Sequence, residues 1–213
     1  LAAGAWVSSQ MRTEGEDMEG VWGGIDFLRM RDLGVSVDVG KKVVVVGGGN
    51  TAIDAARTSR RLGAEVTLLY RRSRKEMPAN VMEIVAAEEE GVQLHFLAAP
   101  SRVVGDENGR AKQLEYITME LGEPDDSGRR RPVPIKGSEF ELACDLCIVA
   151  VGTGANPLLT SSTPDLKVNK WGYIEADPKT GKTMKKGVWA GGDIVTGSAT
   201  VILAMGAGRN AAN

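Results

Sequence analysis

The sequence predicts an α/β fold, a doubly wound parallel sheet in three layers that carries an antiparallel β-meander. Three observations predict it. The run Lys41-Lys42-Val43-Val44-Val45-Val46 is apolar and β-branched without alternation, as a strand buried on both faces of a parallel sheet would be. It ends at Gly47-Gly48-Gly49, and a segment with helical spacing follows. Strand-like and helix-like segments then alternate with short connections, the pattern of successive βαβ units.

Taken in order, the segment from Val21 to Met30 mixes Trp22, Ile25, Phe27 and Leu28 and predicts a short helix on a core. After the strand ending at Val46 a helix is expected, capped by Asn50 or Thr51, with Asp54 completing a capping box. Ala52, Ile53, Ala55, Ala56 and Leu62 give it a small apolar face, and Gly63 sits where a left-handed C-cap belongs. Glu65–Tyr70 is the second strand. Pro78 precedes a second helix, about Ala79 to Glu90, with Val81, Ile84 and Val85 as its buried stripe and Gly91 as its end. Val92–Leu97 is the third strand, and each crossover is expected to be right-handed.

The middle of the chain changes character. Arg102–Val104, a glycine-containing loop and Gln113–Met119 read as a hairpin, and Gly122–Lys136 as a polar loop holding Arg129, Arg130 and Arg131. Glu139–Leu142 alternates, and the buried run Leu146–Val151 returns to the main sheet before Gly152-Thr153-Gly154. A further strand is expected at Gly187–Ala190, then Gly191-Gly192-Asp193 and an apolar helix from about Thr200.

Composition narrows the chemistry. Hydrophobic residues are 42% and charged residues 25% of 213, the balance of an ordinary globular protein. Glycine is high, at 27 residues, and clustered without a G-x-y period, so collagen is excluded. The net charge of −2 offers no bulk field for nucleic acid, and no apolar run is long enough for a membrane span. Two cysteines and one histidine supply neither a four-ligand zinc site nor a disulfide framework. No metal site and no nucleic-acid or membrane partner are expected, and a reduced, cytoplasmic setting is. The chain starts at Leu1 with no initiator Met and no signal-peptide n-region, so it is expected to be a segment of a longer protein.

The sharpest motif is Gly47-x-Gly49-x-x-Ala52 between a buried strand and a helix, the context that gives this weak pattern its meaning. Gly47 allows the tight turn, Gly49 lets backbone approach a pyrophosphate, and Ala52 permits close helix–sheet packing, as in a Rossmann-like dinucleotide fold. Backbone N–H groups around Gly48, Asn50 and Thr51 and the helix dipole would face the anion. At the end of the second strand an acidic residue would favour NAD, but Tyr70-Arg71-Arg72 stands there. Guanidinium groups grip a 2′-phosphate through charge-assisted bonds, so NADPH is expected, with Arg71 and Arg72 as primary contacts and Arg74 or Lys75 as support.

Near the carboxyl end, Gly192 and Asp193 follow an apolar strand-like segment and precede a helix starting at Thr200 and Val201. The Asp could accept hydrogen bonds from a sugar-alcohol hydroxyl, with the helix N-terminus facing the flavin ring. A plain β-turn Asp beside a core helix accounts for the spacing equally well. Cys144 and Cys147 form C-x-x-C, which invites a redox reading. On a strand, residues three apart point to opposite faces, which favours buried structural thiols. His95 reads as packed on the third strand. The Arg129–Arg131 run reads as a solvated loop, with a docking patch for an acidic partner as the other option.

Val43–Ala56 followed by Tyr70-Arg71-Arg72-Ser73-Arg74-Lys75-Glu76-Met77-Pro78, together with Gly187–Asp193 and Ala199–Arg209, resembles the small (beta) subunit of NADPH-dependent glutamate synthase and related FAD-dependent pyridine nucleotide oxidoreductases. Ferredoxin:NADP oxidoreductase subunits and the amino-terminal part of dihydropyrimidine dehydrogenase are among those relatives. Ala3-Gly4 and Gly152-Thr153-Gly154 resemble the two crossovers between the FAD and NADPH domains of that family. The resemblance implies residues 1–36 as a partial FAD-domain segment, 37–152 as the NAD(P)H-binding domain and 153–213 as the carboxy-terminal FAD-domain segment. It implies hydride transfer from NADPH to FAD and electron passage to iron–sulfur clusters in a region this sequence lacks. The partner it implies is a large glutamate synthase subunit or a ferredoxin-type electron carrier. In that scheme the cofactors carry the chemistry and no side chain is catalytic. Gly152, Thr153, Gly192, Asp193, Thr200 and Val201 would lie on the flavin side. The family's own FAD fingerprint is absent, so FAD binding is expected to be weak or nil and the segment alone inactive. The alternatives are a thioredoxin-reductase-like disulfide reductase and a non-catalytic NADPH-sensing module.

Overall fold

The structure, a computed structural model, describes residues 1–125 and 128–212. The chain divides into two compact units, one of residues Ser8–Gly152 and one of Leu1–Val7 with Thr153–Asn213.

The larger unit is built on a five-stranded, wholly parallel sheet. Its strands are β2 (Val21–Gly23), β3 (Lys42–Val46), β4 (Glu65–Tyr70), β5 (Gln93–Phe96) and β9 (Leu146–Val149), in the spatial order β2-β9-β3-β4-β5. The chain runs outward from β3 to β4 and β5, then returns to β9 on the other side of β3. This reversal makes the carboxyl ends of β3 and β9 the topological switch point, where open α/β sheets bind ligands. Val43, Val44, Val45 and Val46 are each at most 4% exposed, as the unbroken apolar run predicts.

Side chains of the central strands alternate between two cores. On one face Val43, Val45, Leu68 and Ile148 pack with Ile53, Ala52 and Ala56 of helix α2 (Asn50–Arg61) and Ile84 of α3 (Val81–Glu89). Helix α1 (Gly24–Asp32) adds Phe27 to the same cluster. On the other face Val44, Val46, Leu69, Cys147 and Val149 pack against an antiparallel meander of β6 (Ala98–Gly105), β7 (Ala111–Pro124) and β8 (Arg130–Ala143). The three layers are therefore helices, parallel sheet and meander, with strands rather than helices on the second face. Each large aliphatic side chain fully buried in these cores contributes roughly 1.5–3 kcal/mol.

Several elements differ from the expectation. Val21–Gly23 is a strand, not the start of a helix, because it pairs in parallel with Cys147–Val149. That pairing also places residues 8–36 with 37–152 in one unit. The expected polar loop at Gly122–Lys136 is largely strand, since β7 and β8 run on to Pro124 and from Arg130; residues 126 and 127 lie outside the described residues. Pro132 and Pro134 stand opposite Leu121 and Met119 in β8, the outer strand of the meander. Val81 is 68% exposed, and the buried positions of α3 are Ile84 and Ala87. His95 makes an edge-on contact with the Tyr116 ring at 4.9 Å between centroids.

In the smaller unit Leu166, Ile174, Ala190 and Ile194 form a core of their own. The expected strand at Gly187–Ala190 reduces to one antiparallel bridge between Lys182 and Trp189. Two-residue strands β1 (Val7–Ser8) and β10 (Thr153–Gly154) lie where the chain passes from one unit to the other. Helices α4 (Pro157–Ser161), α5 (Asp193–Thr196) and α6 (Val201–Ala212) complete the chain. Among the described residues no helix is long and apolar enough to cross a membrane.

Helices α2 and α3 are clasped by charge. Glu90 accepts from Arg57 at 2.8 Å and from Arg61 at 2.6 Å, and Arg57 also pairs with Glu83. The hydrogen bonds from Arg61 and Arg57 hold the Glu90 carboxyl down to about 2. A carboxyl depressed in the folded state stabilises above its unfolded value of about 4.3 and loses that contribution as pH falls towards 2. Glu90→Gln should lower the melting temperature at pH 7, and the gap from the parent should close on acidification to about pH 2, as followed by circular dichroism. Gly47 takes φ +149°, and a Cβ there would collide with the Ala150 carbonyl oxygen. Gly47→Ala should therefore cost about 2–4 kcal/mol in urea unfolding.

Candidate functional site

The turn between β3 and α2 is fixed by contacts on three sides. Gly47 N–H donates to the Leu69 carbonyl at 3.0 Å, and the Ala52 Cβ lies 3.1 Å from where a Gly47 side chain would begin. A Cβ on Gly48 would run into the Tyr70 ring, so Gly48 is glycine because of the neighbouring strand. Gly49 differs: nothing lies within 4 Å of its would-be Cβ. It is the N-cap of α2, with φ −91° and ψ 176°, and no side chain caps the helix.

The expected caps act elsewhere. Asn50 is the first helical residue, and its side-chain oxygen accepts from the Asn80 N–H at 2.9 Å, tying α2 to the start of α3. Thr51 lies inside the helix, so no capping box with Asp54 forms. Instead α2 presents backbone N–H groups without a side-chain acceptor at the switch point, which is the arrangement that receives an anion. The N-terminus of α1 stands close by. A Cβ on Gly24 would lie 3.2 Å from the Thr51 methyl and 2.9 Å from the Ala150 Cβ.

The basic segment at the end of β4 is held by side-chain hydrogen bonds. Tyr70 Oη donates to the Glu76 carbonyl at 2.7 Å while its ring packs on Gly48. Ser73 caps a single 3-10 turn, Arg74–Glu76, and Glu76 reaches back to Ser73 in a reciprocal capping box. Hydrogen bonding from Ser73 holds the Glu76 carboxyl below its ordinary range. The four expected cations then divide. Arg71 and Lys75 are exposed. Arg74 forms a two-armed pair with Glu88 of α3. Arg72 is 5% exposed; its guanidinium pairs with Asp125 and donates from Nε to the Arg130 carbonyl at 2.8 Å. Arg72, expected as a primary contact, is thus held to the meander hairpin through Nε and one terminal nitrogen, while Arg71 beside it is exposed. A shallow hollow floored by Met77, Ile84 and Phe96 opens beside Ser73, Arg74 and Lys75.

The remaining expected residues fall at or beyond the boundary of the larger unit. Gly152 takes φ +130°, and its carbonyl accepts from Ser9 N–H at 2.9 Å. In the smaller unit Thr153 pairs with Ser198 through their hydroxyls and accepts from Tyr173 Oη. Gly191 and Gly192 are spaced by α6: Cβ atoms on them would lie 3.0 Å from Ala207 and 3.3 Å from Ala204. The close approach of α6 accounts for glycine at both positions. Asp193 opens α5 and accepts from the Ala199 N–H at 3.3 Å. The Thr200 carbonyl starts α6, and Val201 is 78% exposed.

Cys144 and Cys147 are free, buried and on the same side of the sheet, within the meander core. Strand alternation does not separate them, because Cys144 precedes β9. Burial pushes the Cys144 thiol up to about 11 and the Cys147 thiol higher still.

Sequence reasoning missed Tyr70 as the support of Gly48, the Ser73–Glu76 box and Asp125. The Ser-x-x-Glu spacing was a readable signal for the second. Asp125 is 53 residues from its partner Arg72 and has no local signal.

Known proteins agree with this architecture. The chain is 49% identical to the NADP(+)-dependent formate dehydrogenase subunit beta of Moorella thermoacetica, 45% to the NADPH-Fe(3+) oxidoreductase subunit beta of Geobacter sulfurreducens and 38% to the glutamate synthase [NADPH] small chain of Azospirillum brasilense. In each case the whole chain is matched, and it spans 30%, 35% and 46% of those proteins' lengths. Among solved structures, Mycobacterium tuberculosis FprA in complex with NADPH superposes with TM-score 0.77 at 19% identity, over 99% of this chain and 61% of that one. Thioredoxin reductase of T. acidophilum superposes with TM-score 0.76 at 21% identity, over 99% and 62%. The profile of the pyridine nucleotide-disulphide oxidoreductases matches residues 1–208, and the chain belongs to that family.

Proposed function

We propose that this chain is the NADPH-binding part of a flavin-dependent oxidoreductase that feeds electrons into a larger assembly. The observation that carries the proposal is the turn at the switch point, where no protein atom lies against the would-be side chain of Gly49 and α2 has no side-chain cap. Backbone N–H groups of Gly49, Asn50 and Thr51 would receive the pyrophosphate, helped by the positive end of the helix dipole. Arg71 would hold the 2′-phosphate with Lys75 beside it, both lying exposed after β4. The hollow over Met77, Ile84 and Phe96 offers an apolar floor for the adenine. Relatives whose names carry NADPH or NADP(+) support the choice of cofactor.

A flavin, where present, accepts the hydride and passes electrons on singly. The residues described fit a flavin at one end only. Asp193 and the start of α6 suit the ring end, whereas Gly191 and Gly192 are closed off by Ala207 and Ala204. What this chain contributes is therefore binding and orientation of the nicotinamide dinucleotide, with no proton moved by a side chain. Identity to the formate dehydrogenase and iron-reductase subunits exceeds that to the glutamate synthase small chain, so the proposal covers the electron-input role rather than glutamate formation in particular. Iron–sulfur centres and a large partner subunit belong to the same proposal, as does a reducing, cytoplasmic setting.

Arg71→Ala should weaken NADPH binding about 10–100-fold and leave NADH binding unchanged in fluorescence titrations, and equal losses would refute the assignment. Gly49→Ala should weaken both cofactors with little change in unfolding free energy, since its Cβ meets no protein atom. A disulfide-reductase reading would require accessible thiols. In the folded protein at pH 8 neither Cys144 nor Cys147 should react with a thiol reagent within minutes, and both should react after denaturation.

A further inference from the structure

We infer that Asp125 is a positioning residue for dinucleotide specificity, acting on the 2′-phosphate loop through the buried Arg72. The inference rests on the nucleotide site proposed above and goes one step further, to a carboxylate on a different structural layer. The loop that would read the 2′-phosphate leaves β4 at Tyr70 and is fixed on one side by Tyr70, Ser73 and Glu76. Towards the meander it is fixed through Arg72. That guanidinium is buried, donating through Nε to the Arg130 carbonyl and pairing through a terminal nitrogen with Asp125 Oδ2. Leu97 N–H closes the same corner by donating to the Arg72 carbonyl at 3.1 Å.

Asp125 is itself held in place. Its backbone N–H donates to the Arg129 carbonyl at 2.8 Å, its carbonyl accepts from Gly128 at 2.8 Å, and its Oδ1 accepts from the Arg129 N–H at 3.3 Å. The carboxylate is thus held where β7 ends, by hydrogen bonds with Gly128 and Arg129, and Arg72 is the bolt from the loop into it. Arg71, one residue earlier, is exposed. Anchoring Arg72 restrains the backbone one residue away, from which the exposed Arg71 guanidinium extends. Preorganisation of this kind gives affinity by reducing what must be ordered on binding. A buried guanidinium that lost its carboxylate would move towards solvent and take the loop with it.

The arrangement makes an unusual sign prediction. If Arg72 were a direct phosphate ligand held in reserve by Asp125, removing the carboxylate would release it and tighten 2′-phosphate binding. If Arg72 is a bolt, removal loosens that binding. The experiment measures calorimetric binding of 2′,5′-ADP and 5′-ADP to the full-length protein and its variants, so no flavin or activity is required. Asp125→Asn should weaken 2′,5′-ADP about tenfold and leave 5′-ADP unchanged. Asp125→Glu, which keeps the charge, should recover part of the loss. In an Arg71→Ala background Asp125→Asn should add nothing, because the residue through which it acts is gone. Unchanged or tighter 2′,5′-ADP binding in Asp125→Asn overturns the inference, as does a proportional loss of both ligands or full additivity with Arg71→Ala. A parent protein with no preference for 2′,5′-ADP overturns the site assignment itself. A preference that Arg71→Ala abolishes while Asp125→Asn spares it overturns the positioning role alone.

Discussion

The larger unit depends on how closely the chain leaving β3 passes the chain leaving β9. A side chain at Gly47 would overlap the Ala150 carbonyl, and one at Gly24 would press on the Ala150 Cβ. Three segments therefore meet at one residue, and each is small there because there is no volume to share. The same crowding sets α2 against the sheet through Ala52, which is fully buried. It also leaves the helix N-terminus at the open side of the turn. The anion-receptive geometry is a by-product of tight packing behind it.

Tyr70 links that turn to the basic loop. Its ring occupies the space a Gly48 side chain would need, and its hydroxyl holds the carbonyl of Glu76. Two parts of the site separated by more than twenty residues share one rigid side chain, so their separation is set by a ring and a hydrogen bond rather than by loop conformation. On the second face of the sheet the meander performs a comparable service through Arg72. Helix α3 adds the Arg74–Glu88 pair, which ties a further cation of the loop to the helix layer at the surface.

Much of this was legible in the sequence. An unbroken valine run, a glycine turn and an alanine-rich helix report buried parallel strands through local composition alone, and β4 falls where Glu65–Tyr70 placed it. What was not legible involves partners distant in sequence. Val21–Gly23 is too short and too mixed to declare itself a strand, and only β9 makes it one. Arg71 and Arg72 look equivalent as letters, yet one is exposed and the other is buried by a hairpin more than fifty residues away. Cys144 and Cys147 illustrate the limit of period-two reasoning, since the alternation begins only where the strand does. Gly191 and Gly192 show that a glycine pair signals close approach without saying whether the neighbour is a ligand or a helix.

The two prolines of β8 carry a consequence for how the molecule behaves among its neighbours. An outermost strand fourteen residues long would ordinarily offer an extended row of backbone donors and acceptors to any passing chain. Pro132 and Pro134 each lack a donor, and Arg130, Arg131, Lys136, Glu139 and Glu141 place charge along the same strand. A foreign strand that tried to extend the meander would meet an interrupted ladder and a charged border. The hairpin can thus reach far enough to brace the loop after β4 without offering a ready template for self-association.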